Sequence, residues 1–284
     1  MRAKKSFGQH FLTNEAIAGR IADALFAGDG GRRAADGRHE IADSAAEAEG
    51  EGQRRVLEIG PGKGMLTKYL LQKNFDLKVV EADSDMVAYL KENYPELDGR
   101  IIAEDFLKLD LASVFPNGQA TRGNRQFSII GNFPYNISSQ IVFKMLEHRQ
   151  SIPQLVGMFQ KEMAERIIAA PGGKDYGIIS VLAQAFYEGK YLFSVGNGNF
   201  NPPPKVQSGV IRLTRKSGEL GCNEALFKKV VKQAFGQRRK MLRNTLKPFF
   251  QDPSVLEGDF FKQRPEVLGV AAFVDLTNQV QQSN

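Results

Sequence analysis

Val56-Leu57-Glu58-Ile59-Gly60-Pro61-Gly62-Lys63-Gly64 runs a short apolar strand straight into a turn with glycine at every second position. Glycine there lets the backbone turn sharply and approach a ligand closely before a helix starts, predicted over Met65 to Lys73. The spacing is G-x-G-x-G; a dinucleotide fingerprint needs glycine at 65, where Met65 stands. Leu77-Lys78-Val79-Val80-Glu81-Ala82-Asp83 then reads as a second strand ending in acid. Glu81 lies 21 residues beyond Gly60, a separation at which a carboxylate receives the hydroxyls of a ribose.

A third signal follows the apolar run Phe127-Ser128-Ile129-Ile130, where Gly131-Asn132-Phe133-Pro134-Tyr135 turns the chain at the carboxyl end of a buried strand. In an open α/β sheet that edge binds ligands. The Asn132 side-chain oxygen and the Phe133 backbone carbonyl are placed to accept the two hydrogens of a planar amine such as that of adenine, with Tyr135 stacking on the ring. Such an amine is a poor nucleophile because its lone pair is delocalised; accepting both N–H bonds beside a methyl donor makes it attack. Read alone, the turn is equally an ordinary strand ending. With the glycine loop and the second-strand acid in this order, it points to S-adenosylmethionine rather than NAD.

Strands are predicted at 55–59, 77–82, 100–103, 127–131, 155–160, 191–195 and 209–214, with helices between the earlier ones, so the sheet is mainly parallel and covered on both faces. The last two strands are too close for an intervening helix, which predicts an antiparallel final strand. Asp105, after the third strand, is a candidate acceptor for an exocyclic adenine amine or the cap of the next turn. A first helix is predicted from Glu15 to Phe26. Residues 28–54, with six glycines and Ile41 as the one large apolar side chain, read as a mobile loop. Beyond Thr214 the periodicity turns helical, over Asn223–Phe235 and Gln237–Phe250.

The 284 residues suit one large and one small domain, and 42% hydrophobic content supplies a sizeable core. No 18-residue apolar run exists, and the basic N-terminus lacks the apolar stretch of a secretory signal. The single Cys222 rules out an internal disulfide, as in a reducing cytoplasm, and with three scattered histidines it offers no metal-ligand spacing. Net charge is +6, and from Arg215 onward 12 Lys and Arg face 7 Asp and Glu. Arg238, Arg239, Lys240 and Arg243 put four cations within six positions, which repel unless an anion such as RNA phosphate neutralises them. A solvated surface would carry such charge as well.

These residues resemble the ribosomal RNA adenine N6,N6-dimethyltransferases. The likeness runs over nearly all the chain outside 28–54: Lys4-Lys5-Ser6-Phe7-Gly8-Gln9-His10-Phe11-Leu12, Leu57 to Gly62, Gly131 to Ser138, Gln160 to Arg166, Lys174-Asp175-Tyr176-Gly177, Phe200-Asn201-Pro202-Pro203-Pro204-Lys205-Val206 and Gln237 to Asn244. The glycine loop is widespread among methyltransferases; Gly-Gln-His-Phe-Leu and Gln-Arg-Arg-Lys are far more specific. The resemblance implies a Rossmann-like class I methyltransferase domain over 1–214, with a seven-stranded, mostly parallel sheet, and a small α-helical RNA-binding domain over 215–284. It implies S-adenosylmethionine contacts at His10, Leu12, Gly60, Glu81, Asp105 and Asn132, catalytic roles for Asn132, Phe133 and Tyr135, and RNA contacts at Phe200, Lys205, Arg238, Arg239, Lys240 and Arg243. Phe200 is a candidate for stacking on the free face of the target base, or a core residue; His10, where many members have Asn, is alternatively a packing residue. The implied substrate is a pair of adjacent adenosines in the 3′-terminal hairpin of 16S rRNA in the 30S subunit, methylated by a cytoplasmic monomer without metal. DNA adenine and protein glutamine methyltransferases use similar Asn-Pro-Pro-Tyr turns, and a non-catalytic assembly factor would keep the fold; the basic helical tail and the N-terminal motif argue against the two other enzymes.

Overall fold

The computed structural model describes residues 9–26, 53–116, 126–237 and 239–283. Most of the 28–54 stretch therefore lies outside the described residues, and Arg54 already belongs to a strand. In chain order the elements are β1 (Phe11–Leu12), α1 (Glu15–Ala24), β2 (Arg54–Ile59), α2 (Thr67–Leu71), β3 (Phe75–Val80), α3 (Ser84–Asn93), β4 (Ile101–Ile102), β5 (Ser128–Asn132), α4 (Ser138–Glu147) and β6 (Gln154–Gln160). There follow α5 (Lys161–Ile167), α6 (Ile178–Phe186), β7 (Tyr187–Val195), β8 (Phe200–Asn201), β9 (Ser208–Arg215), α7 (Glu224–Phe235), α8 (Leu242–Thr245) and α9 (Val270–Gln282).

Seven strands form one sheet in the order β4-β3-β2-β5-β6-β9-β7. β2, β3, β4, β5 and β6 run parallel, and β9 is antiparallel to both neighbours, as the short connection before it requires. From β2 the chain walks outward through β3 to β4 and then returns to β5 on the other side of β2. That reversal opens a crevice beyond the carboxyl ends of β2 and β5.

Alternation along the strands divides the core. Leu57, Ile59, Ile129, Leu155 and Phe159 face a layer built with α4, α5 and α6. Val56, Leu77, Val79, Ile130, Val156 and Met158 face α1, α2 and α3. Nearly continuous apolar strands are what burial on both faces demands. A two-stranded pairing of β1 with β8, Phe11 opposite Asn201 and Leu12 opposite Phe200, ties the N-terminal segment to the Pro-rich loop.

Two expectations need correction. The helix expected over Met65–Lys73 is reduced to α2, since the glycine turn continues to residue 66. The helix expected over Gln237–Phe250 is broken: Gly236, Gln237 and Arg239 make turns, Met241 is extended, α8 has four residues and a 3-10 turn covers Lys247–Phe249. Pro248 removes a helical donor there, and the Leu242 N–H turns away to the Gln263 carbonyl. The C-terminal helices bury Phe227, Val231, Leu246, Phe273 and Leu276 together with Tyr176, Val181 and Leu182 from the α6 region, so this core continues into the sheet-bearing part.

Candidate active site

A cavity of about 750 Å3 opens at the crevice between β2 and β5. Gly60 and Gly62, with φ of 66° and 55°, carry the chain from β2 through left-handed backbone that side chains disfavour. Glu81, just past β3, accepts the Gly62 N–H at 3.1 Å on one oxygen and the Asp83 N–H at 2.9 Å on the other. Each oxygen retains a second lone pair, so the carboxylate can still take ribose hydroxyls. Burial pushes its carboxyl pKa up, against the pull of those backbone N–H groups.

The Asn-Phe-Pro-Tyr turn is anchored from below. The Phe133 ring is buried against Phe159, with centroids 5.1 Å apart, and its N–H donates to the Met158 carbonyl at 3.1 Å. Space for that ring exists because residue 157 is glycine; a Cβ there would lie 2.2 Å from the Phe133 ring. Above, the Asn132 amide nitrogen donates to the His10 backbone carbonyl at 3.0 Å. That bond points the amide oxygen elsewhere and leaves it as an acceptor. Tyr135 stacks on the His10 imidazole at 5.5 Å, and its hydroxyl bonds Ser208 Oγ at 2.7 Å. His10 Nδ1 in turn meets the Pro202 carbonyl at 2.8 Å.

His10, Leu12, Gly60, Glu81, Asp105, Asn132, Phe133 and Tyr135 all line this one cavity. Asp105 caps its own turn, Oδ1 taking the Leu107 N–H at 2.9 Å, and it also lines the cavity. Both readings of Asp105 are thus compatible. The lining fits a nucleoside with a sulfonium side chain: the carboxylates of Glu81 and Asp105 with those of Glu58 and Glu104, backbone polar groups and apolar walls.

Phe200 is corrected. It is 4% exposed and packed with Leu12 and Val195, because pairing of β8 with β1 turns its ring into the core; it cannot stack on a base. Lys205, Arg239, Lys240 and Arg243 are exposed and do not line the cavity, and Arg238 lies outside the described residues.

Three site residues escaped the sequence reading. Gln9 donates to Asp83 Oδ2 at 2.9 Å, tying down the N-terminal segment. Ser208, fully buried, holds Tyr135. Glu58 is 1% exposed on the face of β2 that looks toward α2, and accepts the Thr67 hydroxyl at 2.7 Å. Burial pushes its carboxyl up to about 8, the Thr67 hydrogen bond opposing and the Glu81 charge adding to the shift. Its signal was a lone acid inside an apolar strand.

A family model described as Ribosomal RNA adenine dimethylase matches residues 1–256. Ribosomal RNA small subunit methyltransferase A of Flavobacterium johnsoniae is 50% identical over 282 residues, covering 99% of this chain and 97% of that protein. The protein of the same name from Bacteroides thetaiotaomicron is 48% identical over 285 residues, covering 100% and 96%. Among solved structures, a dimethyladenosine transferase from Plasmodium falciparum superposes with a TM-score of 0.73 at 24% identity, over 96% of this chain and 98% of that one. The 23S rRNA methyltransferase ErmE does so at 0.63 and 22% identity, over 96% and 100%. The two structures attest the Rossmann-like methyltransferase fold. Matched by that family model over most of its length and by such relatives from end to end, the chain belongs to the ribosomal RNA adenine dimethylase family.

Proposed function

We propose that this chain dimethylates the N6 amines of two adjacent adenosines in the 3′-terminal hairpin of 16S rRNA, within the 30S subunit, using S-adenosylmethionine. The observation that carries the reading is the Asn132 amide, held by the His10 carbonyl beside the Phe133 carbonyl and Tyr135 at the sheet's switch point. Glu81 takes the cofactor's ribose, Asp105 its adenine amine, and Leu12 and Gly60 close around it. When bound, S-adenosylmethionine supplies the methyl group on a sulfonium.

The target adenine leaves its stack at a cost of a few kcal/mol, and stacking on Tyr135 returns about 1–3 kcal/mol. Asn132 Oδ1 and the Phe133 carbonyl accept its two amine hydrogens, which orients the nitrogen lone pair along the line of transfer. The attacking nitrogen sheds its proton after attack, so the chain's contribution is positioning and electrostatics rather than a strong base. Lys205, Arg239, Lys240 and Arg243, with Arg238, form the phosphate-binding surface, and residues 215–284 act as the RNA-binding part of a cytoplasmic monomer.

The test is transfer of labelled methyl to small ribosomal subunits that lack the modification, followed by mass mapping. Dimethyladenosine at two neighbouring positions is the expected result. Tight subunit binding without transfer would make the chain a ribosome-binding factor on a methyltransferase scaffold.

A further inference from the structure

Lys144 lies on α4, the helix that follows the Asn-Phe-Pro-Tyr turn, and sends its ammonium across to the loop after Asp105. There it donates to three backbone carbonyls: Phe106 at 2.7 Å, Leu107 at 3.0 Å and Leu109 at 2.6 Å. An ammonium has three N–H donors and no acceptor, and here all three are used on one loop. The loop's own bonds close around the same point. The Asp105 carbonyl accepts the Lys108 N–H at 2.9 Å and the Leu109 N–H at 3.0 Å, while Oδ1 takes the Leu107 N–H.

Three carbonyl oxygens converging on one point repel each other unless a cation sits between them. The turn that carries Asp105 therefore depends on a side chain about forty residues away in sequence. Phe106 and Leu109 anchor the loop's apolar side in the core, and the Lys144 Nζ lies 5.1 Å from the Phe106 ring centroid. Glu104, Asp105 and Phe106 form one wall of the cavity. Burial lowers the Lys144 pKa, while Asp105, Asp110, Glu147 and Glu104 raise it, so the surroundings of this ammonium are anionic.

We infer that Lys144 is a positioning residue for the cofactor: its ammonium is the core of the 105–109 turn and sets S-adenosylmethionine affinity through Asp105. This rests on the reading of Asp105 as acceptor of the cofactor's adenine amine. Lys144 is not among the residues that line the cavity. Its loss raises the cofactor Kd and KM while leaving the rate at saturating cofactor and the affinity for small subunits unchanged.

The test uses the full chain and calorimetry with S-adenosylmethionine and with an analogue lacking the purine 6-amino group. Lys144→Met is expected to raise the Kd for S-adenosylmethionine at least about tenfold, the scale of an unsatisfied buried hydrogen-bonding group, and to abolish the preference over the analogue. A Kd within about twofold of wild type, against that tenfold scale, overturns the inference. If the wild type shows no preference for the amine, the reading of Asp105 fails, and the Kd of Lys144→Met still decides whether the loop anchor matters. Should Lys144→Met not fold, Lys144→Ala titrated with propylammonium decides: affinity that recovers with the amine supports the role, and indifference to it overturns the role.

Discussion

At the residue scale, the site depends on which atoms are left with an acceptor lone pair. The Asn132 amide donates from its nitrogen to the His10 carbonyl, which in the proposed reaction leaves its oxygen as the acceptor for the reacting amine. Asn132→Ala should lower turnover by on the order of 10²–10³-fold, the size of one preorganised polar group at a reacting centre, with thermal stability little changed. A rate near wild type would remove Asn132 from the chemistry. Glu81→Ala should weaken cofactor binding by about 1.5–3 kcal/mol, as for lost hydrogen bonds to a charged group, read by calorimetry.

Glu58 makes a prediction of the opposite kind. Its carboxyl titrates near 8 in the fold against 4.5 for an ordinary glutamate, so the unfolded chain holds fewer protons between those values. Stability contributed through this group is therefore greatest at low pH and declines as pH climbs from 4.5 to about 8. Glu58→Gln mimics the protonated form and keeps an acceptor for Thr67. Its Tm advantage over wild type should widen across that window and level off above it; a difference independent of pH would show that Glu58 is not buried neutral.

At the scale of elements, the turn after β5 is placed by β6. Gly157 leaves the hole that the Phe133 ring fills, and a Cβ there falls 2.2 Å from the ring. Gly157→Ala should destabilise the fold by about 1–3 kcal/mol through overpacking, and should also lower kcat because Asn132 is the residue before Phe133. Unfolding midpoints and single-turnover rates would separate the two effects. Unchanged kcat in the folded variant would mean that the turn relaxes independently of β6. The helix expected after Gln237 illustrates the converse: apolar spacing at Met241, Leu242 and Leu246 looks helical, yet Pro248 and the bond from Leu242 to Gln263 divide it.

For the whole molecule, the exposed cations at Arg239, Lys240 and Arg243 lie on the C-terminal helical region and do not line the cavity. Replacing all three by alanine should weaken binding to small subunits and reduce the slope of log K against log salt by about 0.7–0.9 for each lost phosphate contact. Cofactor affinity should stay as in the wild type. An unaltered salt slope would assign these charges to solvent.

The amino-acid sequence by itself determined the alternation of strands and helices from β2 to β6, the glycine loop, the second-strand acid and the Asn-Phe-Pro-Tyr turn. Those features are encoded locally: apolar alternation specifies a buried strand, and glycine permits φ of 66° at residue 60 whatever surrounds it. Only the tertiary structure decided that Phe200 is core, that the His10 carbonyl orients Asn132 across 122 residues, and that Lys144 fills the turn after Asp105. It alone showed Glu58 buried against Thr67. Burial and hydrogen bonds between distant segments depend on which surfaces the fold presses together, and no local pattern carries that information.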